Sequence, residues 1–395
     1  MYIRAFDSRA LLDASYDVIS GPQEWGDALV REMVPLIPRG SQFALSLGRV
    51  TDALEVEILR SSTPELTALM VESIPKWSAE TNRFLASLGP SFSWLDAIHH
   101  HGGRIPSADQ ERMISILRSA RAADVRITLA RSVDGTTASI AVLSEKPFSP
   151  QAQRELEPWV QLSSHVCAAY RLRKNLAGGQ SLSEAIISAD GRKIEHAEGA
   201  ATPADAREAL RMAVRSIDRS RGHRSSDPLA DLMARKVLVK GRWSLVDQFE
   251  ADGRRYMVAT VNEPMPAFTL LPELAQREHQ VALYVALGHS LKHIAYDLGV
   301  GISTVAGALR RAQSKLGVSS RAELILLVHR RIEQTLSQAK LLRRYSRRDR
   351  CLPRSRSIHC ERPLSTFGKS LRPDLQQCGS MYREGLRSTR WTYPA

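Results

Sequence analysis

Four cysteines in 395 residues are too few and too unevenly placed for a disulfide framework. Cys167 stands alone, and Cys351, Cys360 and Cys378 follow a C-x8-C-x17-C spacing that matches no common zinc arrangement. No apolar run approaches the roughly 18 residues that a membrane span requires. The start, MYIRAFDSRALLDASYD, carries early acids and lacks the apolar stretch of a secretory signal. A cytoplasmic chain without a membrane partner is therefore expected. No G-x-S-x-G, H-E-x-x-H, P-loop or paired Cys/His set is present, so no enzyme, catalytic residue, cofactor or metal is expected. His99-His100-His101 does not change this, because adjacent histidines on a loop before Gly102-Gly103 point in different directions.

Acidic charge is scarce only near the end. Residues 1–300 hold 35 Lys and Arg against 36 Asp and Glu, whereas residues 301–395 hold 20 against 6, so the net charge of +13 sits in the last quarter. A basic cluster of this kind suits a polyanion, and nucleic acid is the leading partner for a cytoplasmic chain.

The first region, residues 1–178, reads as α+β. Helical stretches at Leu11 to Ile19 and Glu24 to Leu36 precede extended runs at Ser41 to Val50 and Ala53 to Leu59, which meet at Thr51-Asp52. Val125 to Arg131 and Thr136 to Leu143 flank Asp134-Gly135, a strong hairpin signal. Ser149 and Pro150 can then open a long helix running through Leu176. The hairpin followed by EKPFSPQAQRELEPWVQL resembles the end of a GAF domain, which implies a sensory module for a small effector of unknown identity. Trp25, Phe43, Trp77, Phe84 and Trp94 are either its core or the lining of an effector pocket.

Ala177 to Ser181 reads as a linker. In residues 179–265, Ala185 to Ile187 and Lys193 to His196 flank Asp190-Gly191, a helix spans Pro203 to Arg219, and Arg242 to Phe249 pairs with Arg254 to Asn262 around Asp252-Gly253. This order is similar to a reduced PAS-type module, with Trp243, Leu245, Tyr256, Val258 and Val261 as sheet core.

Residues 266–334 carry four short helical patterns. Val281, Ala282, Tyr284 and Val285 form one stripe of the first, which Gly288 ends. Ser290 can cap a second, with Ile294, Ala295 and Leu298 inward and Gly299 at the turn. In the third, Val305, Leu309, Ala312 and Leu316 share a side, opposite Ser303, Gly307, Arg310 and Ser314, with Thr304 and Arg311 on a flank. A small, polar, cationic face of this kind can enter the major groove. Ser320-Arg321-Ala322-Glu323 is a capping box that opens the fourth.

Across these four helices the chain is similar to the LuxR/NarL-type helix-turn-helix family. The matching residues include Leu274, Arg277-Glu278, Val281, Gly288, Ser290, Lys292, Ile294-Ala295, Leu298-Gly299, Thr304-Val305, Lys315 to Val318, Ser320-Arg321 and Leu324. The resemblance implies an all-α DNA-binding domain that reads double-stranded DNA with its third helix and dimerises through its fourth. The DNA-binding set it points to is Lys292, Ser303, Thr304, Val305, Gly307, Arg310, Arg311 and Lys315, and the dimerisation set is Leu324, Ile325 and Val328. RNA polymerase is a further implied partner.

Two departures stand out. Ala275 replaces the family's usual threonine cap, and Thr304 to Ala308 lacks the lysine and histidine of the family's reading helix. A protein-interaction or anti-regulator module with a degenerate helix-turn-helix is therefore an alternative. STVAGALRRA also resembles the promoter-reading helix of sigma factors, although nothing upstream matches their other regions. Residues 335–395, with 14 Lys and Arg against 4 Asp and Glu, are expected to be a disordered basic tail that clamps DNA electrostatically or does nothing.

Overall fold

The computed structural model describes residues 8–50, 54–73, 77–78, 80–81, 84–85, 88–101, 105–148, 153–179, 183–222, 232–249, 255–264 and 271–331. The basic tail, the Thr51-Asp52 and Asp252-Gly253 turns, the Ser149-Pro150 helix start and the three C-terminal cysteines lie outside these residues.

A five-stranded antiparallel sheet organises the N-terminal region in the order β2-β1-β5-β4-β3. Its strands are β1 (Gln42–Val50), β2 (Leu54–Ser61), β3 (Ser91–Ser93), β4 (Asp124–Arg131) and β5 (Thr136–Ser144). The alternation of strand side chains explains why both faces are covered. On one face Phe43, Leu45, Leu47, Ala138, Ile140 and Val142 pack against α1 (Arg9–Ser15), α2 (Pro22–Met33) and α6 (Gln153–Ala177). On the other, Val125, Ala141 and Leu143 pack with residues of α3 (Pro64–Ser73), α4 (Trp94–His101) and α5 (Ser107–Ser119). The hairpin turns at Asp134-Gly135, where the Ser132 amide donates to the Thr136 carbonyl at 2.8 Å. His99 to His101 end α4 rather than lying on a loop, since Asp96 and the apolar Trp94, Ala97 and Ile98 continue a helical pattern into them.

A second antiparallel sheet, in the order β7-β6-β9-β8, consists of β6 (Ser183–Ser188), β7 (Ile194–Ala197), β8 (Trp243–Phe249) and β9 (Arg255–Val261). The helix α7 (Ala204–Gly222) covers one face through Leu210, Ala213, Val214 and Ile217, against Trp243, Met257 and Ala259. Leu245 and Val261 join this core at its edge, whereas Tyr256 and Val258 alternate to the other face with Gln248 and Val246 as cross-strand partners. The buried guanidinium of Arg171 on α6 ties the sheets together. It donates to Asn262 Oδ1 at 3.0 Å, to the Asn262 carbonyl at 3.0 Å and to Ser132 Oγ at 2.7 Å. Asn262 in turn donates to the Ala168 carbonyl and to Ser244 Oγ.

Of the aromatic residues weighed in the first region, Trp25, Phe43, Phe84 and Trp94 are core, while Trp77 is half-buried beside Trp94. Trp25, Phe43 and Trp94 are fully buried, and Trp25 Nε1 donates to the Ala14 and Ser15 carbonyls while its ring stacks on Tyr170. Among the described residues no helix is long and apolar enough to cross a membrane.

Candidate nucleic-acid interface

The last described segment is helical throughout: α8 (Gln276–Ala286), α9 (Leu291–Leu298), α10 (Ile302–Leu316) and a fourth helix, α11, over residues 321–331. Its core joins Val281, Ala282, Tyr284 and Val285 of α8 to Ile294, Ala295 and Leu298 of α9 and Val305, Ala308 and Ala312 of α10. Ala275 occupies the N-cap of α8 and has no oxygen to offer, so only half of a capping box forms: the Ala275 amide donates to Glu278 Oε2 at 3.1 Å. Ser290 caps α9 by accepting the His293 amide at 3.1 Å. For α11, Ser320 Oγ accepts the Glu323 amide at 3.1 Å, while the Glu323 carboxylate takes the amide of Ser319, one residue earlier than a strict box.

The structure sorts the sequence-derived DNA set into three groups. Ser303, Thr304 and Arg310 are exposed on α10, and Arg310 makes no hydrogen bond or ion pair among the described residues. Arg311 and Lys315 are also exposed, yet both reach Glu278, at 3.1 Å and 2.7 Å. Glu278 is buried, and the Lys315 ammonium beside it holds its carboxyl below the usual carboxylate range. Val305 is a correction: it is fully buried in the helical core, because the inward stripe of α10 must fill the space against α8 and α9. Gly307 is half-buried, on the side of α10 between the core and the exposed arginines. Lys292 lies on α9, 62% exposed, with its ammonium 2.5 Å from Glu157 of α6.

The dimerisation set needs a similar correction. Leu324 and Val328 are fully buried within the domain, four residues apart on the inward face of α11, and Ile325 packs beside them. The outward face carries Leu326, which is 57% exposed, with Glu323, Leu327 and Arg330 lining the same shallow groove. Glu278 was missed by sequence reasoning as a functional residue, although the Arg277-Glu278 pair was visible. Its role as the anchor of two cations on another helix depends on how α8 crosses α10.

A seam of buried polar residues joins α9 to the N-terminal region. His165 on α6 bridges two tyrosines, with Nδ1 3.0 Å from Tyr16 Oη and Nε2 2.8 Å from Tyr296 Oη. Ser164 Oγ lies 3.2 Å from His293 Nε2, which is itself 3.2 Å from Asp297. Burial, with the Arg235 charge nearby, pushes the His165 imidazole down to about 3. Folding therefore keeps His165 neutral, so its contribution is complete above the ordinary histidine pKa near 6.5 and is lost as the pH falls toward 3. Unfolding below pH 6 should take up one extra proton at this site, worth about 1.4 kcal/mol per pH unit. Denaturant titrations at pH 7 and pH 5 should show His165→Gln losing that share of the pH dependence. An unchanged slope would mean that His165 protonates in the folded state.

Gly307 provides a second test. A Cβ built there would meet only the Arg311 guanidinium, at 3.4 Å. Gly307→Ala should therefore stabilise α10 by about 1 kcal/mol. If DNA approaches the α10 backbone at this point, the same change should weaken DNA binding despite the added stability. Tighter binding that tracked the stability gain would place Gly307 away from the DNA.

These helices define a helix-turn-helix unit whose third helix presents an exposed polar and cationic face. The family described as bacterial regulatory proteins, luxR family, matches residues 272–328, and that segment is a luxR-family helix-turn-helix domain. Among solved structures, the crystal structure of Escherichia coli SdiA in space group P6522 is 10% identical, with a TM-score of 0.22 over 73% of this chain and 82% of that one. SdiA in complex with octanoyl-rac-glycerol is 10% identical, with a TM-score of 0.23 over 73% of this chain and 80% of that one. The search among curated proteins found no match. The assignment of residues 272–328 to the luxR family rests on the domain match and the helical geometry.

Proposed function

We propose that this chain is a one-component bacterial transcription regulator, which acts by binding double-stranded DNA rather than by catalysis. Its α10 enters the major groove, with Arg310 reading a base and Ser303, Thr304, Arg311 and Lys315 at the backbone. The observation that carries this function is the two-sidedness of α10 within a luxR-family domain: Val305, Ala308 and Ala312 are buried, while Ser303, Thr304 and Arg310 are exposed. Selection of duplexes from a random pool by the full chain tests it. A recovered motif of two half-sites about one helical turn apart supports it. A pool no different from the input contradicts it.

Homodimerisation belongs to the same proposal and is assigned to the outward face of α11. Leu326→Glu should convert a dimer to a monomer in sedimentation and weaken operator binding by at least about tenfold, since half of the contacts are then lost. A dimer that survives the substitution would move the interface elsewhere.

Sensing is assigned to residues 1–178, a GAF-like region, with residues 179–265 as a PAS-like module behind it. Support comes from the sheet face beneath α3, α4 and α5. There Trp77 packs 6.0 Å from Trp94, and its buried Nε1 has no hydrogen-bond partner among the described residues. An apolar effector with one acceptor oxygen would satisfy it. The chain would work in the cytoplasm and meet RNA polymerase at the promoter.

A further inference from the structure

We infer that His289, His293 and Asp297 form a binding site for a divalent first-row transition ion of the zinc class, built into the seam between α9 and α6. The three residues are spaced by four, so α9 and the turn before it bring them onto one face. Their donor atoms all lie within 4.8 Å of one another. Asp297 Oδ2 is 3.2 Å from His293 Nε2 and 3.5 Å from His289 Nδ1. A tetrahedral ion with bonds of about 2.0–2.1 Å needs donors roughly 3.3 Å apart, so both carboxylate-imidazole separations already match an edge of that tetrahedron.

A second, independent observation points to a ligand. Among the described residues, Asp297 Oδ1 is buried with no hydrogen-bond partner, and His289 Nδ1, 3.5 Å from Asp297 Oδ2, forms no hydrogen bond of good geometry. All three side chains are at least nine-tenths buried. Buried polar atoms are almost always satisfied, and an orphaned acceptor beside two imidazoles is relieved by a cation. The α9 helix gains nothing from leaving these atoms unpaired, since its cap and core are complete without them.

The donor set selects the ion. Two imidazoles and one carboxylate suit zinc and its neighbours, whereas magnesium and calcium want several oxygens. Arg131 stands near His289 and opposes any cation, which further disfavours ions held by charge alone. Three protein donors leave one corner open. Ser164 of α6 borders it, with its Oγ 3.2 Å from His293 Nε2, so an ion there would fasten α9 to the N-terminal region.

The test is a titration of the metal-free full chain with Co2+, followed through the visible d–d bands that a four-coordinate site gives, with zinc then displacing it. One equivalent should bind, magnesium in excess should not compete, and His289→Gln and Asp297→Asn should each weaken binding by roughly 10- to 100-fold. Because Asp297 sits within the fold, circular dichroism of the metal-free variants accompanies the titration. His289→Gln lies before the α9 cap and gives the decisive case if Asp297→Asn misfolds. His100→Gln, in the other histidine cluster, should leave the bands unchanged. Absence of stoichiometric cobalt bands, or a cobalt affinity unchanged by His289→Gln, would overturn the site.

Discussion

Replacing Arg310 with alanine is expected to reduce binding to the selected operator by about 5- to 150-fold, corresponding to roughly 1–3 kcal/mol, while leaving binding to random duplex nearly unchanged. The magnitude follows from what each cation near the groove already does. Arg311 and Lys315 are held by the buried carboxylate of Glu278. Lys292 spends part of its charge on Glu157. Arg310 is exposed and has no partner among the described residues, so its whole fork of donors is free for a guanine edge. Lys292→Ala should instead weaken specific and random duplex about equally and flatten the salt dependence, as a phosphate contact does. Equal losses on both duplexes for Arg310→Ala would reduce Arg310 to a phosphate contact.

The second large effect is structural. Gly299 ends α9 with φ +60°, and a Cβ there would stand 1.6 Å from the Leu238 carbonyl oxygen. Gly317 ends α10 with a similar φ of +65°, but a Cβ there would meet nothing within 4 Å. Alanine at Gly317 should cost only the left-handed strain, about 1–2 kcal/mol. At Gly299 the same strain is joined by a backbone collision that cannot be relieved by a side-chain rotation. Gly299→Ala should therefore cost roughly 3 kcal/mol or more and lower the unfolding midpoint by about 6–12 °C. The difference between the two variants isolates the docking of the helix-turn-helix turn onto the segment around Leu238. Equal midpoints for Gly299→Ala and Gly317→Ala would show that this docking does not contribute to stability.

Much of this architecture was legible because it is local. Asp134-Gly135 between alternating runs specified a hairpin, and Gly288, Ser290 and Gly299 punctuated the helices of the luxR-family domain at the right places. Long-range geometry was not legible. The three-residue β3 has too little sequence to show a period, and its place depends on pairing with Ile127 and its neighbours. Tyr256 and Val258 were grouped with Trp243 because all are bulky, but strand alternation sends them to the opposite face. Leu324 and Val328 were assigned to an interface through the family resemblance, yet both are fully buried in the domain's own core. The seam of His165, His293 and Asp297 joins residues far apart in sequence, although the spacing of His289, His293 and Asp297 was itself a signal.

Base reading by α10 through the major groove has a chemical signature, because guanine N7 lies only in that groove. Partial methylation of N7 in the selected operator, followed by separation of bound from free duplex, therefore measures it directly. Methylated guanines in each half-site should be depleted from the bound fraction, and depletion at one of them should vanish with Arg310→Ala. A bound fraction that carries N7-methylated guanines as often as the free fraction would contradict major-groove reading by α10.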